Sequence, residues 1–320
     1  MINNKKWMSN ISDKTKLVNV NIPGTHDSGT FGTVVAFTKT QDWSIEKQLK
    51  NGIRFLDIRL SKIISAGTIK PITTIPPQYI LMHGPAPVGG NFLEDIYTPI
   101  FRFLENNPSE MIFMSIKSEN SIFTIDHEDM KYFLKLDKFY DQPKKIEDVE
   151  LQDVRGKVVL LNRVTENEGY SWNKLNIQDK YELEMGYYQQ VIVPGVKERT
   201  QKICYPTFSG LKCYEQVIIP EVKERTQSVP NGWKYEKKTE HISNFIKSNH
   251  TNPSNKLNIN FLTASSSNPQ FYVPFTNGVS TNSRIQNSYI VRKNWSANGM
   301  IFPMDYPVNE CINKIIESNN

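Results

Sequence analysis

Polar residues able to bind or transform small molecules recur at one place in this chain, the ends of apolar, strand-like runs. A first run over 17–22 leads through Ile22-Pro23-Gly24-Thr25 to His26, Asp27 and Ser28. The run over 53–60 carries Asp57 and Arg59, that over 79–83 ends in His83, and that over 111–117 ends in Lys117. Arg163 closes the run over 157–163, Asp179 and Tyr181 close one near 176–181, and Asp305 closes the last, over 299–305. Residues two apart on a strand share a face, so Asp57 and Arg59 point the same way, as do Ser115 and Lys117, and Leu161 and Arg163. Charges are costly to bury unless they are paired or meet a ligand. A single His or Lys could be an ordinary satisfied or solvated residue. The same arrangement on seven strands argues instead for one shared polar site.

A parallel sheet is the element set that would gather such strand ends. Between the runs above and a further strand over 257–264 lie helical patterns at 43–51, 92–106, 127–137, 234–249, 281–292 and 308–317. Alternation of strands and helices predicts parallel pairing. Eight strands in 320 residues favour an α/β fold of the closed (β/α), TIM barrel type, whose mouth collects the strand ends. No Gly-rich phosphate loop supports an open doubly wound sheet.

Composition sets wider limits. With 38% hydrophobic and 22% charged residues, the chain has enough apolar material for a sizeable core. The net charge of +5 fits an anionic partner surface, but the basic residues are dispersed and form no nucleic-acid-binding arm. The first residues lack the apolar stretch of a secretory signal, and no window is apolar enough for a transmembrane helix. The expectation is a protein that stays inside the cell or a mature secreted form. Cys204, Cys213 and Cys311 match no zinc spacing or disulfide framework and read as ordinary thiols. One segment breaks the rhythm: Tyr188–Gln201 recurs as Tyr214–Gln227, with eleven of fourteen positions identical at a spacing of 26. Two copies are too few for a solenoid. A duplicated surface insert (188–227) within a single barrel domain (1–320) is expected.

The motifs Ile22-Pro-Gly-Thr-His-Asp-Ser-Gly29, Phe55-Leu-Asp-Ile-Arg59 and Met82-His-Gly-Pro85, in that order, resemble those of the bacterial phosphatidylinositol-specific phospholipases C, the X-domain family. Asn107-Pro-Ser-Glu110, Arg155-Gly-Lys-Val-Val-Leu-Leu161 and Gln178-Asp-Lys-Tyr181 extend the likeness. The resemblance implies a distorted barrel in which His26 is the general base and His83 the general acid. It implies that Asp305 orients the base, that Asp27 assists on the leaving-group side, and that Arg59 stabilises the phosphate beside Asp57. Lys117, Arg163 and Asp179 match inositol-binding positions, and Tyr181 an aromatic residue that packs on the ring.

Those roles fit an internal attack of the inositol 2-hydroxyl on phosphorus, giving inositol 1,2-cyclic phosphate and diacylglycerol. In the calcium-dependent relatives that the resemblance brings in, an acidic residue stands where Arg59 stands. The cation implies that no metal or other cofactor is used. A monomer is expected, meeting phosphatidylinositol at a membrane surface with Trp43 and Trp233 as candidate docking residues, and with no nucleic acid as partner. Glycosylinositol anchors are a second possible substrate. Two other readings stay open at this stage: a catalytically weak inositol-headgroup-binding module, and a metal-dependent glycerophosphodiester phosphodiesterase.

Overall fold

The computed structural model describes residues 3–319 apart from 35–37, 64–77, 120–122, 182–183, 186–187, 194–198, 208–209, 220–224, 231–232, 235, 252–254 and 265–284. For residue 63, the rest of 184–236, and 287–288, it describes the backbone alone. The chain divides into two compact units, residues 1–183 with 235–320, and residues 184–234.

The first unit is built on a curled, mostly parallel sheet. Its strands are β1 (Ile22–Thr25), β2 (Phe55–Ile63), β3 (Gln78–His83), β4 (Ala86–Asn91), β5 (Ile112–Ser118), β6 (Val158–Asn162), β7 (Tyr170–Ser171) and β8 (Asn176–Gln178). After the second unit come β15 (Asn258–Asn260) and β16 (Ile301–Met304). The order β7-β6-β5-β2-β1-β16-β15-β8 is parallel at each step. Helices α1 (Ile45–Lys50), α2 (Thr98–Asn106), α3 (His127–Leu134), α4 (Leu151–Val154), α5 (Glu236–Thr251) and α6 (Asn309–Glu317) accompany it. The central strands are continuous apolar runs because a parallel sheet is covered on both faces. Thus Val158–Asn162 is buried throughout.

Three expectations change. Among the described residues β7 and β8 do not pair, so the barrel is an open half-barrel rather than a closed one. Strands of two and three residues offer too short a ladder to close that seam. The first strand begins at Ile22, not at 17. Leu17–Asn19 is a turn of 3-10 helix that buries Leu17 and Val18, an apolar signal that periodicity cannot tell from a strand. Finally, β3 lies antiparallel to β2 and β4. It is a hairpin outside the parallel path, carried by the long C-terminal half of β2, and His83 ends that hairpin arm rather than a barrel strand.

At the opposite end of the strands a buried ion pair locks the framework. Arg54, just before β2, is fully buried and donates from Nε and Nη2 to Glu110 Oε2 at 3.0 and 2.8 Å. Its remaining donors reach the carbonyls of Asn4, Lys5, Leu49 and Ile53. Charge at the bottom of a barrel-like sheet serves stability rather than chemistry. Glu110→Gln strips the guanidinium of its counter-charge and should cost about 3–5 kcal/mol. Thermal unfolding should show the loss, with the rate per folded molecule unchanged.

The described residues of the second unit form three nested antiparallel strand pairs. Strand β9 (Glu184–Met185) pairs with β14 (Trp233–Lys234), β10 (Tyr188–Val193) with β13 (Arg225–Pro230), and β11 (Arg199–Thr207) with β12 (Gly210–Ile219). The duplicated copies do not stack as repeats but occupy opposite arms. Val193 faces Arg225 and Ile219 faces Arg199, equivalent pairs under the 26-residue spacing.

Candidate active site

The C-terminal ends of β1, β2, β5, β6 and β16 bring most of the predicted residues together. Register sets the alignment: Asp57 lies opposite Ser115, and Arg59 opposite Lys117. Gly24 is required one turn below, since a Cβ there would sit 2.8 Å from the Phe55 ring.

His26 leaves the end of β1 with both ring nitrogens engaged. Nδ1 lies 2.8 Å from Asp305 Oδ1, and Nε2 lies 2.7 Å from Arg59 Nη2. The backbone is unusual at both strand ends. Asp27 and Tyr306, the residues following His26 and Asp305, each adopt a φ of 44°. For non-glycine residues this left-handed geometry costs about 1–3 kcal/mol each. Hydrogen bonds hold both turns: Thr30 Oγ1 donates to the Asp27 carbonyl, and the Tyr306 hydroxyl to the Lys39 carbonyl. Gln41 Nε2 adds bonds to the carbonyls of His26 and Met304.

Asp27 joins the two histidines. Fully buried, it contacts Arg59 Nε with Oδ1, while Oδ2 lies 3.1 Å from His83 Nδ1 and 3.5 Å from His26 Nε2. The Asp27 contacts with Arg59 and His83 are close ion-pair approaches whose angles fall outside good hydrogen bonding. Asp57 is also buried; it accepts from Ser115 Oγ at 2.9 Å and Arg163 Nη1 at 3.0 Å, and meets Arg59 Nη2 at 3.3 Å. Arg59 therefore spans Asp27, Asp57 and His26, and its Nη1 reaches Glu119 Oε1 at 3.0 Å.

Electrostatics follow from this packing. Burial disfavours the His26 cation, but the Asp27 and Asp305 carboxylates outweigh it and raise the imidazole pKa to about 9. Burial opposes ionisation of Asp27 and Asp57 as well, yet Arg59, with His26 and for Asp57 also Arg163, holds both below the usual carboxylate range. The guanidinium of Arg59 is bound more firmly as a cation than usual, since Asp27 and Asp57 overcome its desolvation. Arg59 can donate to His26 Nε2 only while that nitrogen keeps its lone pair. That contact therefore requires the neutral imidazole with its proton on Nδ1 toward Asp305, whereas the surrounding carboxylates favour the charged form.

The remaining predicted residues line the approach. Arg163 stacks on Trp172, 4.4 Å from the ring centroid. Lys117 Nζ lies 2.8 Å from Glu119 Oε1. Asp179 and Tyr181 are exposed on the segment after β8, and protein packed around the Asp179 carboxyl nonetheless raises its pKa. The charges of His26, Asp57 and Arg163 act on that carboxyl, which places Asp179 beside the cluster, whereas Tyr181 makes no contact with it among the described residues. Trp43 is half-buried beneath Lys47, and the Trp233 side chain lies outside the described residues.

Sequence patterns alone do not single out five participants. Glu119 shares parity with Lys117, a signal that could have found it. Ser115 is legible as a face partner but not as a ligand of Asp57. Phe261, edge-on to His26 with centroids 5.8 Å apart, and Trp172 beside it form an aromatic wall that only the tertiary fold brings close. Lys238 on α5 is 1% exposed and donates to the Lys180 carbonyl at 2.5 Å, fixing the turn between Asp179 and Tyr181. Its burial lowers its pKa to about 7.

One oxygen or nitrogen atom from each of His26, Asp27 and Asp57 lies within 4.8 Å of the others, a set able to hold a metal ion. Arg59 contacts all three, so a fixed organic cation supplies the positive charge those ligands would otherwise share. Chemically, the arrangement offers two imidazoles joined through the Asp27 carboxylate, the first also backed by Asp305, beside a permanent guanidinium.

No protein-family profile matches the chain. A 1-phosphatidylinositol phosphodiesterase of Listeria monocytogenes is 29% identical over 228 residues, covering 66% of this chain and 65% of that protein. One from Staphylococcus aureus is 29% identical over 174 residues, 50% of this chain and 51% of its own length. The chain thus matches from about half to just under two thirds of the length of these relatives. Among solved structures, the phosphatidylinositol-specific phospholipase C of L. monocytogenes superposes with a TM-score of 0.63 at 22% identity, over 99% of this chain and 98% of that one. That of S. aureus gives 0.66 at 22% identity over 99% and 98%. The distorted barrel fold is shared with these proteins.

Proposed function

We propose that the chain is a phosphatidylinositol-specific phospholipase C of the X-domain type that works without a metal ion. The observation that carries this reading is the pair of histidines joined through Asp27 beside Arg59. The relatives named as 1-phosphatidylinositol phosphodiesterases support it.

In this mechanism the inositol 2-hydroxyl attacks phosphorus from within the same molecule, gaining the advantage of proximity. Neutral His26 takes the hydroxyl proton at Nε2, and Asp305 stabilises the resulting imidazolium through Nδ1. Arg59 turns its donors from His26 toward the phosphoryl oxygens, where negative charge accumulates. His83, held at Nδ1 by Asp27, gives a proton to the diacylglycerol oxygen as the P–O bond breaks. The products are diacylglycerol and inositol 1,2-cyclic phosphate; water entering by the reverse proton path would open the cyclic ester slowly. Lys117, Arg163, Asp179 and Tyr181 would hold the inositol ring, with Arg163 prepositioned by Trp172. Lipid in a bilayer would be met peripherally, since no helix among the described residues is long and apolar enough to cross one. Glycosylinositol anchors present the same phosphodiester.

Phosphorus NMR of phosphatidylinositol vesicles incubated with the protein and chelator tests the whole reading. A cyclic phosphodiester resonance should appear first; its absence would refute the assignment.

The pH dependence carries a further expectation. A base must be neutral to act, so kcat/KM should rise with pH through an apparent pKa above the ordinary 6.5 of histidine. Asp305→Asn removes one of the carboxylates that raise it, so that limb should move to lower pH while the plateau falls. A limb that stays in place would mean that Asp305 does not act through His26.

A further inference from the structure

The hairpin of the second unit places two cysteines opposite each other. In the β11–β12 ladder Cys204 is in register with Cys213, three pairs from Thr207 and Gly210, which flank a two-residue connection. Whether a pair so placed is bridgeable depends on the phase of the ladder. Pro206, paired with Leu211, sets that phase. Proline has no N–H to give, so within a ladder it belongs at a position whose N–H would face away from the partner strand. Phase alternates along an antiparallel pair. Pro206–Leu211 being non-hydrogen-bonded makes Tyr205–Lys212 hydrogen-bonded and Cys204–Cys213 non-hydrogen-bonded. The tight connection agrees independently, because a two-residue loop is closed by a hydrogen-bonded pair, here Thr207–Gly210. Non-hydrogen-bonded pairs set their α-carbons about 4.5 Å apart, inside the span of roughly 4.4–6.8 Å that a disulfide bridges.

We infer that Cys204 and Cys213 form an intrachain disulfide across this hairpin when a low-molecular-weight disulfide such as oxidised glutathione is available. One thiolate attacks the small disulfide, forming a mixed disulfide and releasing one glutathione thiolate. The second cysteine thiolate then attacks the protein sulfur of the mixed disulfide and releases the other. The protein loses two protons and two electrons, and the glutathione disulfide gains both. The ordinary-thiol reading of the sequence stands for Cys311, which is fully buried with its thiol pKa pushed up by desolvation. That residue is the internal control.

The test uses the full chain, incubated with oxidised glutathione, unfolded in denaturant under acid quench, alkylated, and analysed by peptide mass spectrometry. The expected result is alkylation at Cys311 alone. A 204–213 linked peptide should accompany it, and the intact mass should be lower by two hydrogens. In Cys213→Ser the linkage cannot close, so Cys204 should retain a glutathione. Three alkylated cysteines in the unsubstituted protein, stable glutathione adducts on both Cys204 and Cys213, or a linkage found only between chains would each overturn the inference. Phosphodiesterase activity does not enter this readout, so its outcome is separate from that of the proposed reaction.

Discussion

His26→Ala is expected to remove nearly all turnover of phosphatidylinositol while the protein stays folded, and His83→Ala to do the same. A positioned acid or base contributes roughly 10²–10⁴-fold, and two groups acting as a unit lose more than the single contributions suggest. The structure adds why the losses should differ in kind. His26 is tied to Asp305 and Arg59, so in the proposed mechanism its removal takes away the base and disturbs the guanidinium that would face the phosphate. His83 reaches the cluster through Asp27, and in the proposed mechanism its removal leaves the base intact. A substrate whose leaving group needs no proton, such as a nitrophenyl inositol phosphodiester, should therefore restore much of the rate of His83→Ala and little of that of His26→Ala. Rates on natural and activated substrates, measured with circular dichroism as the check on folding, decide it. Equal losses of His83→Ala on both substrates would refute its role as the acid.

The second large effect centres on Arg59. Full activity is expected after exhaustive treatment with EDTA, with little response to added calcium. Arg59→Asp should abolish that activity. On the proposed mechanism it removes the fixed cation, adds a carboxylate where the reacting phosphate would sit, and forfeits several kcal/mol of transition-state stabilisation, on the order of 10³-fold in rate. It should also destabilise the fold, because Asp27, Asp57 and Glu119 lose their shared counter-charge. Such a cluster of oxygen ligands suits a hard divalent cation, so calcium should raise the melting temperature of Arg59→Asp more than that of the unsubstituted protein. Calorimetry with and without calcium, beside the NMR assay with chelator, gives both readouts. Chelator sensitivity of the unsubstituted enzyme would mean that Arg59 does not do the metal's work.

Much of this site is legible in the sequence by itself. The parity of Asp57 with Arg59 and of Ser115 with Lys117 follows from strand geometry alone, and the register keeps those pairs on one line. The helix positions are legible for the same local reason: apolar residues at helical spacing pack one face, and the patterns at 43–51, 92–106 and 308–317 match helices that bury that face. Motif order does the rest, joining His26, Arg59 and His83 into one expectation.

What only the tertiary structure decided is pairing. The apolar run ending in His83 reads as another parallel strand, because strand patterns carry no sign of direction; β2 is long enough to accept β3 antiparallel past the parallel sheet, and that swings His83 onto Asp27. Closure of the barrel is equally invisible, since it depends on whether the short β7 and β8 can find ladder partners. Phe261, Trp172 and Lys238 reach the site from distant segments through contacts that no spacing rule encodes. The cysteines make the same point. Their separation in sequence means little, and their opposition arises only once a turn and a proline fix the phase of two paired strands. Local periodicity determines which residues face together, because it follows from backbone geometry within one element. Which elements meet is decided by long-range packing, a property of the whole chain.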